Sequence, residues 1–67
     1  MSDYKKRLKS ERELLGEKLE KLEYFLTTAN SDGVSKVDME LLKLQAKAMS
    51  TYLCVLNSRI ELMSLPY

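Results

Sequence analysis

Apolar residues recur along two stretches of this chain at intervals of three, four and seven. In the first stretch Leu8, Leu15, Leu19, Leu22 and Leu26 fall on one face of a helix. Arg12 interrupts that stripe, where its aliphatic stem can still pack, and Leu14 and Phe25 widen it to one side. The spacing predicts a helix over residues 3–27. Gly16 is the one poor helix former inside it, at a cost of about 1 kcal/mol relative to alanine. On the outer face Glu17 and Lys21 stand four apart, the spacing of a favourable ion pair.

The second stretch carries two stripes. Leu42, Ala46, Met49, Leu53, Leu56, Ile60 and Met63 alternate steps of four and three, a full heptad seam. Val37, Leu41, Leu44, Ala48, Tyr52 and Val55 form a second stripe beside it. This pattern predicts a helix over residues 35–64, with Pro66 just beyond its end. Ser35 is a plausible N-cap with Asp38 as its capping-box partner, and Val34 and Met39 sit where a hydrophobic staple would place them. Residues 28–34 between the helices include the turn formers Asn30, Ser31, Asp32 and Gly33. So short a connection makes the helices antiparallel neighbours, each about 35 to 45 Å long.

The expected fold is therefore all-α: one domain over residues 1–67, an antiparallel two-helix hairpin. One partner helix cannot cover two adjacent stripes. The first helix takes the seam, and the second stripe needs another chain. Length sharpens this expectation. A core built from 67 residues is marginal, and proteins of this size add disulfides, a metal or oligomerisation. With one cysteine and no histidine, neither an internal disulfide nor a zinc site can form, which leaves a homo-oligomeric helical bundle.

The formal charge of +1 argues against a general binder of DNA or RNA polymers or of membrane surfaces. No apolar run is long enough for a membrane span, and the first residues lack the pattern of a signal peptide. A reducing cytoplasm is the expected compartment. The chain has no histidine for general base work, no Gly-rich phosphate loop and no indicated cofactor, so an enzyme is not expected. Cys54 stands beside Leu53 and Val55 and is expected to be a buried, inert thiol. Tyr24 and Tyr52 are expected to be rim or core aromatics.

One cluster stands out against this background. Lys5, Lys6, Arg7, Lys9 and Arg12 crowd the start of the first helix, where the helix dipole disfavours cations. A solvated charge run is one explanation. The other is an anion trap, in which the cations and free N–H groups hold phosphate while Tyr4 stacks on a base.

Two runs carry a family resemblance. The first is Tyr4-x-x-Arg7-Leu8-x-x-Glu11 followed by Leu15-x-x-Lys18-Leu19-x-Lys21-Leu22-x-x-Phe25-Leu26. The second is Glu40-Leu41-Leu42-x-x-Gln45-x-x-Ala48-Met49-x-x-Tyr52-x-x-Val55-Leu56-x-x-Arg59-Ile60. Over about residues 4–62 the chain resembles the phage anti-CBASS sponges, whose hairpin domain is shared with a sponge that inhibits Thoeris defence. The resemblance implies a compact homo-oligomer, a hexamer in the family, acting in the cytoplasm of a bacterial host. It implies binding of cyclic oligonucleotides such as cyclic GMP–AMP, with sequestration and no cleavage. It makes Tyr4 the aromatic that stacks on a ligand base. Lys18 is the nearest match to the lysine that holds phosphate, with Lys21 as the alternative. Arg7 and Arg59 match basic positions at the two ends of the hairpin. Leu41, Leu44, Ala48, Tyr52 and Val55 are the expected oligomer interface. The competing expectation is a small coiled-coil module whose second stripe receives a helix of a different protein.

Overall fold

The computed structural model describes residues 2–28 and 33–64, without the side chains of Ser2 and Ser64. It contains two helices, α1 (Ser2–Thr27) and α2 (Lys36–Ser64), and no strand among the described residues. They pack side by side as a hairpin in a rod of 52 × 15 × 15 Å. Most of the expected turn, residues 29–32, and Pro66 lie outside the described residues.

Local chemistry sets the ends of both helices. At the close of α1 the Tyr24 carbonyl accepts three bonds: from the Thr27 hydroxyl at 2.9 Å, the Thr28 hydroxyl at 2.8 Å and the Thr28 N–H at 3.0 Å. The carbonyls of a last helical turn have no partner within the helix, and the two threonines supply one. Gly33 has a φ of +93°, a conformation that favours glycine, and it delivers the chain to the start of α2. There the Ser35 hydroxyl accepts the Asp38 N–H at 3.1 Å, and the Ser35 carbonyl accepts the first helical bond, from Met39 N–H at 2.9 Å. Ser35 is thus the N-cap. The Asp38 side chain returns no bond to the Ser35 backbone, so half of the capping box forms. Val34 and Met39 are both half-buried. Ser35→Ala should lower stability by about 1 kcal/mol, read as a drop in thermal midpoint with unchanged helix content at low temperature.

The seam forms as the periodicity predicts. Leu8, Leu19, Leu56 and Ile60 are buried. Leu15, Leu22 and Leu26 from α1, and Met39, Leu42, Ala46, Met49, Leu53 and Met63 from α2, are half-buried along it. Arg12 is half-buried in the stripe, as its long aliphatic stem allows. Burial is deepest toward the open end, where Leu8, Leu56 and Ile60 form one cluster flanked by Leu15 and Met63. Gly16 has no packing reason to be glycine, because a Cβ built there meets nothing within 4 Å.

Helical positions can be labelled a to g, with a and d on the seam. Leu8, Leu15 and Leu22 are then d positions of α1, and Leu42, Met49, Leu56 and Met63 are d positions of α2. The labels separate two faces of the hairpin. Every large apolar side chain left exposed among the described residues occupies c, f or g: Leu14, Phe25, Val37, Leu41, Leu44, Tyr52, Val55 and Leu62, with Tyr4 and Tyr24. The b and e positions on the opposite flank are polar, among them Lys9, Glu13, Glu23, Lys43, Lys47, Asn57 and Glu61.

Those labels account for two departures from expectation. Cys54 is exposed, not buried. Its sequence neighbours Leu53 and Val55 are apolar, but the residues beside it on the helix surface are Ser50, Thr51, Asn57 and Ser58. Leu14 and Phe25 do not widen the buried stripe either; they are 59% and 38% exposed, at c and g positions that α2 does not reach.

Candidate functional site

Among the described residues two side-chain hydrogen bonds cross between the helices, both on the g flank. Arg59 Nη2 donates to the Tyr4 hydroxyl at 2.5 Å. The Tyr52 hydroxyl donates to the Glu11 carboxylate at Oε2. From Tyr4 to Glu11 is seven residues forward in α1, and from Arg59 to Tyr52 is seven residues back in α2. Both bonds therefore belong to one register, in which g positions face each other across an antiparallel seam. The next steps of that register set Lys18 opposite Gln45 and Phe25 opposite Asp38. The two bonds bracket Leu8 and Leu56 of the buried cluster, since Leu8 lies between Tyr4 and Glu11 and Leu56 between Tyr52 and Arg59; Ile60 lies just beyond Arg59.

This register decides where each expected site residue sits. Tyr4 and Arg59 meet at the open end, and Arg7 is one turn further along α1 on the same side. Arg7 and Arg59 are therefore not at two ends of the hairpin. An antiparallel hairpin folds the start of α1 against the end of α2, so both arginines share one end. Lys18 and Lys21 are exposed on the same c/g flank, but Lys18 lies about 21 Å along α1 from Tyr4. Within one chain a single small ligand does not reach both.

The basic cluster divides in the same way. Lys5 and Arg12 are half-buried residues at a positions of the seam; Lys6 and Lys9 are exposed at b and e positions, on the polar flank. Only Arg7 of the five joins Tyr4 and Arg59 on the apolar face. There a planar ring stands beside guanidinium groups able to form paired bonds to phosphate oxygens. Sequence reasoning missed Glu11, a surface carboxylate by pattern, which becomes a cross-helix acceptor only once the register is known.

A shallow depression of about 430 Å³ lies elsewhere, lined by Glu17, Glu20, Lys21 and Tyr24 of α1. Its two carboxylates make it unfavourable for an anion. Glu17 and Lys21 both line it, yet the ion pair expected between them is not made. The ion pair found among the described residues is Lys43–Glu40, at 3.5 Å and well exposed. Such pairs are worth only tenths of a kcal/mol, so solvent and side-chain entropy decide which of them close. Among the described residues no group of three or more His, Cys, Asp and Glu side chains is placed to hold a metal ion. Among the described residues no helix is long and apolar enough to cross a membrane.

The hairpin belongs to the class of small two-faced helical modules: one flank charged, the other apolar and lined with aromatic and basic side chains. The chain is a member of the Sequestin family, whose model matches residues 2–62. The family name denotes sequestration, in keeping with the resemblance to anti-defence sponges carried by the Tyr4–Phe25 and Glu40–Ile60 runs. No curated protein and no solved structure matches the chain.

Proposed function

We propose that this chain is a phage anti-defence sponge. It binds a cyclic di- or trinucleotide second messenger, such as cyclic GMP–AMP, in the cytoplasm of a bacterial host. It holds the messenger without cleaving it and so blocks CBASS-type immunity. The observation that carries this reading is membership of the Sequestin family across residues 2–62. The chemistry of the apolar face agrees with it. Tyr4 offers a face to a nucleobase, Arg59 and Arg7 offer donors to phosphate, and Lys18 and Lys21 offer further cations on the same side.

The working form in this reading is a homo-oligomer, a hexamer by family resemblance, joined through Leu41, Leu44, Ala48, Tyr52 and Val55. The gap between Tyr4 and Lys18 supports it, because a second protomer can bring its own lysines to the first protomer's Tyr4–Arg59 end. The same exposed stripe supports a second reading, a module that receives a helix of a different protein. A pull-down giving one stoichiometric protein partner, with no small-molecule binding, would favour that second reading.

Calorimetry with a panel of cyclic di- and trinucleotides tests the proposal. Tight binding is expected, with the ligand recovered intact after denaturation; absence of heat across the panel contradicts it. Tyr4→Ala should weaken binding about 10- to 100-fold, the worth of ~1–3 kcal/mol for one stacked base, without changing the mass of the assembly.

A further inference from the structure

We infer that Glu11 and Tyr52 are positioning residues: their hydrogen bond is a register latch that holds Tyr4 against Arg59. The inference rests on the reading of Tyr4 and Arg59 as ligand contacts; it assigns a role to Glu11, which that reading leaves unused, and a second role to Tyr52 beside its place in the proposed interface.

The argument starts from what the seam cannot do. The d layers of both helices are Leu and Met throughout, and neighbouring layers present nearly the same shapes. Those d layers drive association strongly but distinguish one register from another weakly; the mixed a positions, among them Lys5, Arg12 and Ala46, and directional contacts at the flanking positions select it. Among the described residues two hydrogen bonds between the helices do so, Tyr52–Glu11 and Arg59–Tyr4. They are not equivalent. Tyr4 lies beyond Leu8, the first buried residue of α1, at the end of the hairpin farthest from the turn. Tyr52–Glu11 lies one heptad inward, on the turn side of the Leu8–Leu56–Ile60 cluster. A shift of one helical turn moves a side chain about 5 Å along the axis, enough to part Tyr4 from Arg59. The inner bond resists that shift where the core is packed, and the outer pair inherits the alignment.

The chemistry of the latch is also suited to its place. An ionised carboxylate only accepts, so Glu11 fixes the direction of the Tyr52 hydroxyl. It also sets a negative charge about 10 Å inward of Tyr4 along α1, where it does not offset the cations at the open end. A glutamine at this position keeps an acceptor oxygen, whereas an alanine keeps none.

Two measurements test this. The first is affinity for cyclic GMP–AMP by calorimetry in the full chain, its Glu11→Ala, Glu11→Gln and Tyr4→Ala variants, and the Glu11→Ala/Tyr4→Ala double variant. Glu11→Ala should weaken binding about five- to tenfold, the effect of one partly exposed charge-assisted bond acting at one remove. Glu11→Gln should stay near the unsubstituted chain. In the Tyr4→Ala background, Glu11→Ala should cost nothing further, because a residue acting through Tyr4 is silent without it. Equal losses in both backgrounds, or none in either, overturn the positioning role. The second measurement needs no ligand. In protein labelled with fluorotyrosine, the Tyr4 fluorine resonance should shift the same way in Glu11→Ala as in Arg59→Gln. An unmoved Tyr4 resonance in Glu11→Ala overturns the latch. Failure of the unsubstituted chain to bind overturns the sponge reading alone, and the fluorine resonance then decides the latch by itself.

Discussion

Leu56→Ala should leave the chain largely unfolded at the concentrations where the unsubstituted protein is helical. Leu56 has 0% exposure and packs in one cluster with Leu8 and Ile60. Truncation of a buried leucine costs about 2–5 kcal/mol, from lost transfer energy and the cavity left behind. A single core in a chain this short supplies only about 3–5 kcal/mol in total. The one substitution therefore removes most or all of the available stability. Far-ultraviolet circular dichroism and a thermal melt read the result directly. Leu56→Met, which conserves volume, should cost about 1 kcal/mol and keep the melt cooperative. An equally small loss in Leu56→Ala would mean that the open-end cluster is not where the fold is held.

Leu44→Glu should break the assembly. In the single hairpin Leu44 is 62% exposed, and an exposed substitution that touches no special feature changes stability by only about 0.5 kcal/mol. In the proposed homo-oligomer the same side chain is covered by a neighbouring protomer. An unpaired carboxylate buried there costs several kcal/mol, in every copy of the interface. Sedimentation should give a mass falling from the oligomer to the single chain. Helix content should fall with it, because few residues are buried in the hairpin alone. Lys43→Glu, one residue away on the polar flank, is the control and should leave the mass unchanged. If both variants sediment as the unsubstituted protein does, the interface assigned to Leu41, Leu44, Ala48, Tyr52 and Val55 is wrong.

The two helices and their seam were legible in the chain because a period of three and four is a local property. Leu8, Leu15, Leu19 and Leu22 declare a face without reference to anything else in the sequence. The Ser35 cap was legible for the same reason, since its partner Asp38 is three residues away. The exposure of Cys54 is set by its polar neighbours on the helix surface and not by Leu53 and Val55, its apolar neighbours along the chain. The pairing of Tyr4 with Arg59, and of Glu11 with Tyr52, was not legible at all. It depends on register, which is settled by the packing of one helix on the other and not by either helix alone. The same gap set Arg7 and Arg59 at opposite ends, although the antiparallel hairpin itself already required them at one. The division into a charged flank and an apolar flank is implicit in the sequence, but it emerges only when c and g positions of both helices are aligned in that register.

Native mass spectrometry of the purified chain with an equimolar mixture of cyclic di- and trinucleotides tests the central claim most directly, because it reports protomer number and ligand mass in one spectrum. The sponge reading predicts a homo-oligomer, with six copies expected, carrying bound ligand at the mass of an intact cyclic nucleotide. A single 7.8 kDa chain without ligand, or an assembly that releases only linearised nucleotide, would contradict it.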